Sequence, residues 1–272
     1  MRWRIVIHGS IEGYSTMLVF LSASDNNTKE VVARHFLAAT SVYGIPSRIR
    51  VGLNHDGENN DILCNIMNVI RGPDRRSAIR GRSVHNQRIE RSWVDLRNGV
   101  TNVYYDLFHF LEDQRLLDID KEHELWALHY IYIPRVNRDI ITLFRNQWNN
   151  HGLRTEHQLS LIQLFVQRSL QLFSTNLTAV QELFEVQNNE EVMNSGWNED
   201  EDVNVPAVTC PLSSDALENL KREIDPLDDS RGEFGIELFR SVVEFIMTIL
   251  ANSISMFYYQ INQNCIHEMH DF

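Results

Sequence analysis

Apolar residues recur at steps of three and four in the middle of the chain, and this spacing predicts a long helix with one buried face. The buried stripe consists of Ile89, Trp93, Leu96, Val100, Tyr104, Leu107 and Leu111. Ser83 is placed to cap the start of this helix with its hydroxyl group. Glu90 lies about 100° of helical rotation from the first stripe residue. Its carboxylate is therefore expected at the rim of the core, within reach of solvent.

The elements before this helix alternate between strand and helix patterns, and those after it are helical. Alternating residues predict a hairpin with strands near 3–8 and 17–22 around a turn at 9–13. Asn27 is placed to cap the next helix, and Gly44 is a stop signal at its end. The other predicted elements are helices at 29–43 and 62–70, a strand ending near Asn54, a strand at 78–80, and helices at 121–131, 136–149, 157–173 and 233–260. This order predicts an α/β fold with a helical C-terminal extension.

The composition, with 23% charged and 43% hydrophobic residues, is that of a soluble globular protein. The three cysteines share no metal-like spacing, which favours a reducing compartment, nuclear or cytoplasmic. Glu244 and Asn252 interrupt the apolar run at 233–260, so we expect core or oligomer packing there and no membrane span.

The net charge of −12 is divided unevenly along the chain. Residues 1–100 hold 14 Lys and Arg against 9 Asp and Glu, a net charge of +5, which leaves 11 against 28, or −17, for residues 101–272. The most acidic stretch is the run Glu199–Asp202, within a predicted solvated linker at 185–210. Arginines cluster before and along the Glu90 helix, and a guanidinium group is well suited to contact phosphate. The candidate nucleic-acid-binding residues are Arg80, Arg82, His85, Asn86, Gln87, Arg88 and Arg91.

The segment GRSVHNQRIERSWVDL at 81–96 resembles the catalytic helix of integrase core domain proteins of transposon origin. The resemblance continues through the first 165 residues in the blocks RWRIVIHGSIEGYS, YGIPSRIR, HDGEN, ALHYIYIPRVN and WNNHGLRTEHQLSLIQLF. It implies an RNase H-like fold, a mixed sheet flanked by helices. We expect this core at 1–165, a helix end and acidic linker at 166–210, and a helical extension at 211–272.

The resemblance also implies a catalytic site in which three carboxylates hold two Mg²⁺ or Mn²⁺ ions for phosphoryl transfer. Glu90 matches the glutamate of that site. Asn54 stands at the second aspartate position, with 35 residues between it and Glu90, the spacing familiar from integrases. An amide offers a neutral oxygen where the chemistry needs a negative charge. Asp56 is a weaker substitute, because it lies two residues, roughly 6–7 Å of extended chain, further on.

The family's first aspartate lies about ten residues before the block at 2–15, so we expect an N-terminal truncation and the loss of an inner strand of the sheet. Glu12, which matches an acidic residue of the following hairpin, is interpreted as a turn residue. The lost strand would expose the edge of the strand containing Ile5 and Ile7 and favour self-association.

Three functions remain open at this point. The leading hypothesis is a catalytically degenerate nucleic-acid-binding or assembly module that contacts the DNA backbone, performs no strand transfer and has a metal site that need not be occupied. The first alternative is an active Mg²⁺-dependent integrase whose missing segment is lost from the gene model. The second is a protein-binding scaffold that uses the acidic linker and the last helix.

Overall fold

The computed structural model describes residues 2–52, 61–72, 75–81, 87–173, 205, 208–232 and 234–252. The chain forms two compact units. The first contains Met1, 3–104 and 136–207, and the second contains Arg2, 105–135 and 208–272. The boundaries expected from the sequence at 165 and 210 stay a prediction.

The first unit begins with the predicted hairpin, whose strands β1 (Val6–Ile11) and β2 (Leu18–Ser24) are antiparallel. The strands lie one to three residues later than the sequence suggested, so Gly9 belongs to β1 and not to the turn. A Cβ atom at Gly9 would lie 2.7 Å from the Trp93 ring and 2.8 Å from the Leu21 side chain. Glycine therefore allows the tryptophan to pack directly on the strand.

The hairpin is followed by the helix α1 (Lys29–Tyr43), the strand β3 (Ile49–Gly52), the helix α2 (Asp61–Arg71) and the strand β4 (Ala78–Gly81). All were predicted, and Gly44, with φ +82°, ends α1 as expected. The predicted cap was wrong, because Thr28 occupies the N-cap position of α1. Asn27 is buried instead, and its Oδ1 accepts a hydrogen bond of 3.0 Å from the Val205 amide.

The described strands form two separate sheets of two strands each and not one mixed sheet. β1 pairs with β2, while β3 and β4 form a parallel pair. A parallel pair needs covered faces, and here apolar residues of α1 and α2, with Val51 of β3, form one buried cluster. Within the described ranges no strand joins β1 to β3.

The predicted long helix consists of α3 (Gln87–Leu96), a π-helical turn (Arg97–Thr101) and α4 (Asn102–Asp113). Its stripe is buried or partly buried throughout the described residues. In the first unit, Trp93, Leu96 and Val100 pack in a core with the hairpin residues Leu18 and Leu21. The predicted cap Ser83 lies outside the described residues.

The next helical run is continuous where two helices were predicted. α5 (Glu122–Asp139) passes through Pro134 and leads into a π-helical turn (Ile140–Arg145) and α6 (Asn146–Asn150). A proline inside a helix costs about 3 kcal/mol, and the burial of Ile131, Tyr132 and Val136 around it offsets this cost. The helix α7 (Leu161–Phe173) starts four residues later than predicted, because His157 and Gln158 have φ values of +52° and +65°.

The second unit contains the described helices α8 (Ser214–Glu223) and α9 (236–252), together with 105–135. Its buried aromatic residues contact one another, with Tyr132 against both Phe108 and Phe239. The predicted helix at 233–260 is confirmed over 236–252, whereas residues 234 and 235 precede the helix and Gly235 has φ +68°. No helix of the described residues is long and apolar enough to cross a membrane.

Buried Arg135 lies in the second unit. Its guanidinium group donates a 3.0 Å hydrogen bond to the Asp229 carboxylate and a 2.7 Å hydrogen bond to the Asp228 carbonyl oxygen. Gly235, with φ +68°, passes so close to this arginine that a Cβ atom would lie 2.7 Å from its Nε.

Most of the predicted linker at 185–210 lies outside the described residues. Val205 and Val208 within it are buried, so the expectation of a solvated segment was wrong at these two positions. Their side chains are apolar, and burial removes them from water.

Candidate nucleic-acid interface

The outer face of α3 presents Gln87, Arg88, Glu90 and Arg91 to solvent. The opposite face is held in the core by buried Leu96 and partly buried Trp93. The α3 backbone is therefore fixed, while the charged side chains on its outer face remain accessible. Arg91 forms an exposed ion pair of 3.3 Å with Asp95 one turn later, which contributes little to stability.

The turn of the β1–β2 hairpin is fixed by its own hydrogen bonds. The Glu12 carboxylate accepts hydrogen bonds from the Tyr14 amide (2.9 Å), the Ser15 amide (2.6 Å) and the Ser15 hydroxyl (2.7 Å). Thr16 has φ +63°, and its amide donates to the Glu12 carbonyl oxygen over 2.9 Å. The interpretation of Glu12 as a turn residue is thus confirmed.

Two side chains from other elements anchor the same turn. The guanidinium group of Arg88 donates a hydrogen bond to the Gly13 carbonyl oxygen. The Trp148 indole nitrogen donates to the Thr16 carbonyl oxygen over 3.1 Å. The turn is therefore tied to α3 and α6, and the Gly13 carbonyl oxygen that Arg88 contacts has no formal charge to offset that of the guanidinium group.

Two asparagines from the helical run bind the main chain of β2 in the way that a neighbouring strand would. Asn149 accepts from the Leu18 amide (2.8 Å) and donates to the Leu18 carbonyl oxygen (3.0 Å). Asn137 accepts from the Ala23 amide (2.7 Å) and donates to the Ala23 carbonyl oxygen (3.0 Å). Each amide side chain satisfies both main-chain groups of one strand residue, which holds the hairpin in place.

Tyr14, Arg168, Asn137 and Asn149 were not among the predicted site residues. The two asparagines lie within the resembling blocks ALHYIYIPRVN and WNNHGLRTEHQLSLIQLF, which was the available signal. Nothing in the spacing of Tyr14 and Arg168 indicates their contact, because they are brought together only by the packing of α7 near the hairpin. The guanidinium carbon of Arg168 lies 5.5 Å from the centre of the Tyr14 ring.

The structure brings four of the predicted site residues onto one helix face: Gln87, Arg88, Glu90 and Arg91. Arg80 is exposed on β4. The other predicted positions, Asn54, Arg82, His85 and Asn86, lie outside the described residues.

Integrase cores typically use divalent metal ions. Within the described ranges no three His, Cys, Asp or Glu side chains lie close enough together to hold a metal ion. The Glu12 carboxylate is engaged in its turn, and the assignment of Glu90 to the family's glutamate stays a prediction.

These elements define an α/β core in which a helix with exposed arginines lies beside a firmly held hairpin. The family model described as integrase core domain matches residues 1–179, and the chain belongs to that family. Membership implies an RNase H-like fold, with which the described strands and helices are compatible. The comparisons with curated proteins and with solved structures gave no match.

Proposed function

We propose that this transposon-derived protein binds the phosphate backbone of DNA through the outer face of α3. The observation that carries the proposal is the exposure of Arg88 and Arg91 on a helix whose other face is held in the core. Arginine forms charge-assisted hydrogen bonds to phosphate oxygens. Arg80 and Gln87 are exposed and belong to the proposed surface, and Arg82, His85 and Asn86 stay candidate residues predicted from the sequence.

The binding test is a salt series on a fluorescein-labelled duplex, read by fluorescence anisotropy. An arginine that neutralises a DNA phosphate releases the counterions condensed there. The affinity therefore falls as the salt concentration rises. We expect Arg88→Ala and Arg91→Ala each to reduce the slope of log affinity against log salt by about one unit per lost phosphate contact. Arg222→Ala, an exposed arginine of α8 in the second unit, is the matched control and should leave the slope unchanged.

Binding that is independent of salt and equal in all four proteins would contradict the proposal. That result would favour the scaffold hypothesis, in which the chain contacts other proteins.

We also propose that the chain is catalytically degenerate. The support is Asn54, which places a neutral amide where the family has an aspartate that binds metal. With one negative charge fewer at the site, the repulsion between two divalent cations is less fully offset, so we expect no strand transfer or nicking of DNA ends with Mg²⁺ or Mn²⁺. Turnover that disappears in Glu90→Gln would instead establish the alternative, an active metal-dependent integrase.

Self-association is a further part of the proposal. α7 exposes apolar residues at steps of four, Ile162, Val166 and Leu170, and the glutamines beside them carry no charge. Two copies of this face can pair about a two-fold axis without repulsion between like charges. Light scattering at tens of micromolar should show a dimer that Val166→Asp converts to monomer, whereas Val42→Asp, at an exposed position on α1, should leave it dimeric.

A further inference from the structure

We propose that Tyr14 and Arg168 form a stacking platform for an unpaired base, beside the backbone-binding face of α3. The inference rests on the proposed function and goes beyond it, because it selects a nucleic acid with an unpaired segment over a continuous duplex.

The first observation is the position of the aromatic ring. Tyr14 is 58% exposed although it lies in a turn whose next residue, Ser15, is 1% exposed. Burial of the ring does not account for this aromatic residue at the tip of the hairpin. A ring presented on a surface can take a base on its face, and stacking of this kind accepts every base because each has a π face.

The second observation is that the ring is carried by a prearranged backbone. Its own amide is held by Glu12, the carbonyl oxygen before it by Arg88, and the carbonyl oxygen of Thr16 by Trp148. Binding loses affinity when a loop must first be ordered, and here that cost is small. The tyrosine side chain adds two rotatable bonds, so it too is inexpensive to order.

The third observation is the arrangement of positive charge around the ring. The guanidinium carbon of Arg168 lies 5.5 Å from the ring centre, and Arg88 contacts the residue immediately before Tyr14. A nucleotide whose phosphate lies near Arg88 therefore has its base close to Tyr14. A Cβ atom built at Gly13, the residue before Tyr14, would meet no atom within 4 Å outside its two chain neighbours.

A base pair inside a duplex has its faces covered by its neighbours, so a single aromatic platform gains a stacking partner only from an unpaired base. The competing explanation is that Arg168 and Tyr14 only hold α7 to the hairpin through a cation–π contact. If Tyr14 stacks on a base, its substitution should lower the affinity for single-stranded DNA more than the affinity for duplex DNA. If the contact only holds α7 to the hairpin, the two affinities should not differ in this way.

The experiment measures the anisotropy of a labelled 20-nucleotide thymidine strand and of a labelled 20-base-pair duplex with the full chain. Tyr14→Ala and Tyr14→Leu are compared with Tyr14→Phe and Tyr14→Trp; the leucine variant keeps the bulk and loses the π face. We expect the alanine and leucine variants to bind the single strand about tenfold more weakly. The phenylalanine and tryptophan variants should stay within about twofold of the original chain, and all four should bind the duplex within about twofold.

The controls separate this inference from the proposed function. Arg88→Ala should weaken the binding of both the single strand and the duplex, because both have a phosphate backbone. Equal losses on single strand and duplex in Tyr14→Ala, or no loss on either, would overturn the platform while leaving backbone binding intact. If the original chain binds neither ligand, the proposed function fails and the platform fails with it.

A photocrosslink gives an independent readout. A strand carrying 5-iododeoxyuridine should crosslink to the peptide that contains Tyr14, and the Tyr14→Leu variant should lose that product. Crosslinking at other peptides alone would count against the platform.

Discussion

At Gly9 the lack of a side chain decides how closely α3 can approach the first strand. The Trp93 ring occupies the space that a Cβ atom would need, and Leu21 closes it from the neighbouring strand. Trp93 also belongs to the stripe that the sequence predicted, so one glycine and one tryptophan link the hairpin to the helix with the exposed arginines.

We expect Gly9→Ala to lower the free energy of unfolding by about 1–3 kcal/mol, because the new methyl group overpacks a rigid indole. Gly13→Ala is the matched control in the same hairpin. Its Cβ atom would meet no atom within 4 Å, and its φ is outside the left-handed region. The control should therefore be neutral or slightly stabilising. Urea denaturation of both variants checks the prediction, and equal stability changes would contradict it.

A histidine pair on the other side of the hairpin gives the fold a pH dependence. The rings of His8 and His35 lie 5.6 Å apart, and His35 also stacks against Phe20. Its Nε2 lies 3.1 Å from the Ser24 hydroxyl. Burial lowers the pKa of His35, with smaller contributions in the same direction from His8 and Arg34.

The sign of the effect follows from proton binding. Because the folded-state pKa lies below the ordinary value of 6.5, the unfolded chain binds this proton first as pH falls. The contribution of His35 to the free energy of unfolding therefore has its full value above about pH 7, and it is lost as the pH drops below about 6.5. In His35→Gln and His35→Phe we expect a shallower decrease between pH 7 and pH 5. The difference should be well below the limit of about 1.4 kcal/mol per pH unit, since His35 is only half-buried. Thermal melts across this range test it, and identical slopes in all three proteins would refute it.

At the residue scale the sequence predicted what depends on local pattern and missed what depends on distant partners. The turn role of Glu12 and the stop at Gly44 are local, because backbone conformation and neighbouring amides determine them. The cap of α1 was misassigned because Asn27 has a partner at Val205, 178 residues away. The contact between Tyr14 and Arg168 has the same character.

Among the elements, β2 shows how helices can take the place of a strand. The side-chain amides of Asn137 and Asn149 satisfy main-chain groups of Ala23 and Leu18, which are 3% and 0% exposed. An open strand edge invites pairing with other chains, and these contacts occupy that edge of β2 at two points.

We expect Asn137→Ala and Asn149→Ala each to lower the free energy of unfolding by about 1–3 kcal/mol, because each leaves a buried amide and carbonyl without a partner. Asn150→Ala is the control. Its exposed side chain donates only to the Asn146 carbonyl oxygen within the helix, so its effect should stay within about 0.5 kcal/mol. Chemical denaturation distinguishes them, and a loss at Asn150 as large as that at Asn149 would contradict the interpretation.

The type and order of the elements in the first unit could be predicted because their patterns are strong over short windows. The π-helical turns at Arg97–Thr101 and Ile140–Arg145 could not, since steps of three and four in the apolar stripe fit an α-helix and a helix with an extra residue in one turn equally well. These turns contact each other, and a Cβ atom at Gly99 would lie 3.8 Å from the Phe144 ring. Their position is set by packing between helices and not by local propensity. The continuity of α5 through Pro134 has the same origin.

Across the whole molecule the distribution of charge opposes the proposed function. The first 100 residues carry +5 and the remainder −17. A negatively charged chain repels DNA at long range, and the repulsion weakens with salt. Binding through α3 therefore depends on local arginines that act against the net charge.

The last prediction concerns the acidic run Glu199–Asp202, which can compete with DNA for the same arginines at the high effective concentration of a tethered segment. Replacing its four acids by Gln and Asn changes the net charge from −12 to −8. A matched variant makes the same change at four exposed acids of α8 and α9, Asp215, Glu218, Glu223 and Glu244. If the run competes locally, only the first variant should bind DNA more tightly, with a steeper salt dependence because more arginines neutralise phosphates and release the counterions condensed on the DNA. Equally tighter binding in both variants would show that the net charge alone sets the affinity. Unchanged binding in both would show that the acidic run does not affect DNA binding. Anisotropy titrations of the three proteins between 50 and 200 mM salt, roughly the range over which backbone contacts lose affinity most clearly, decide between these outcomes.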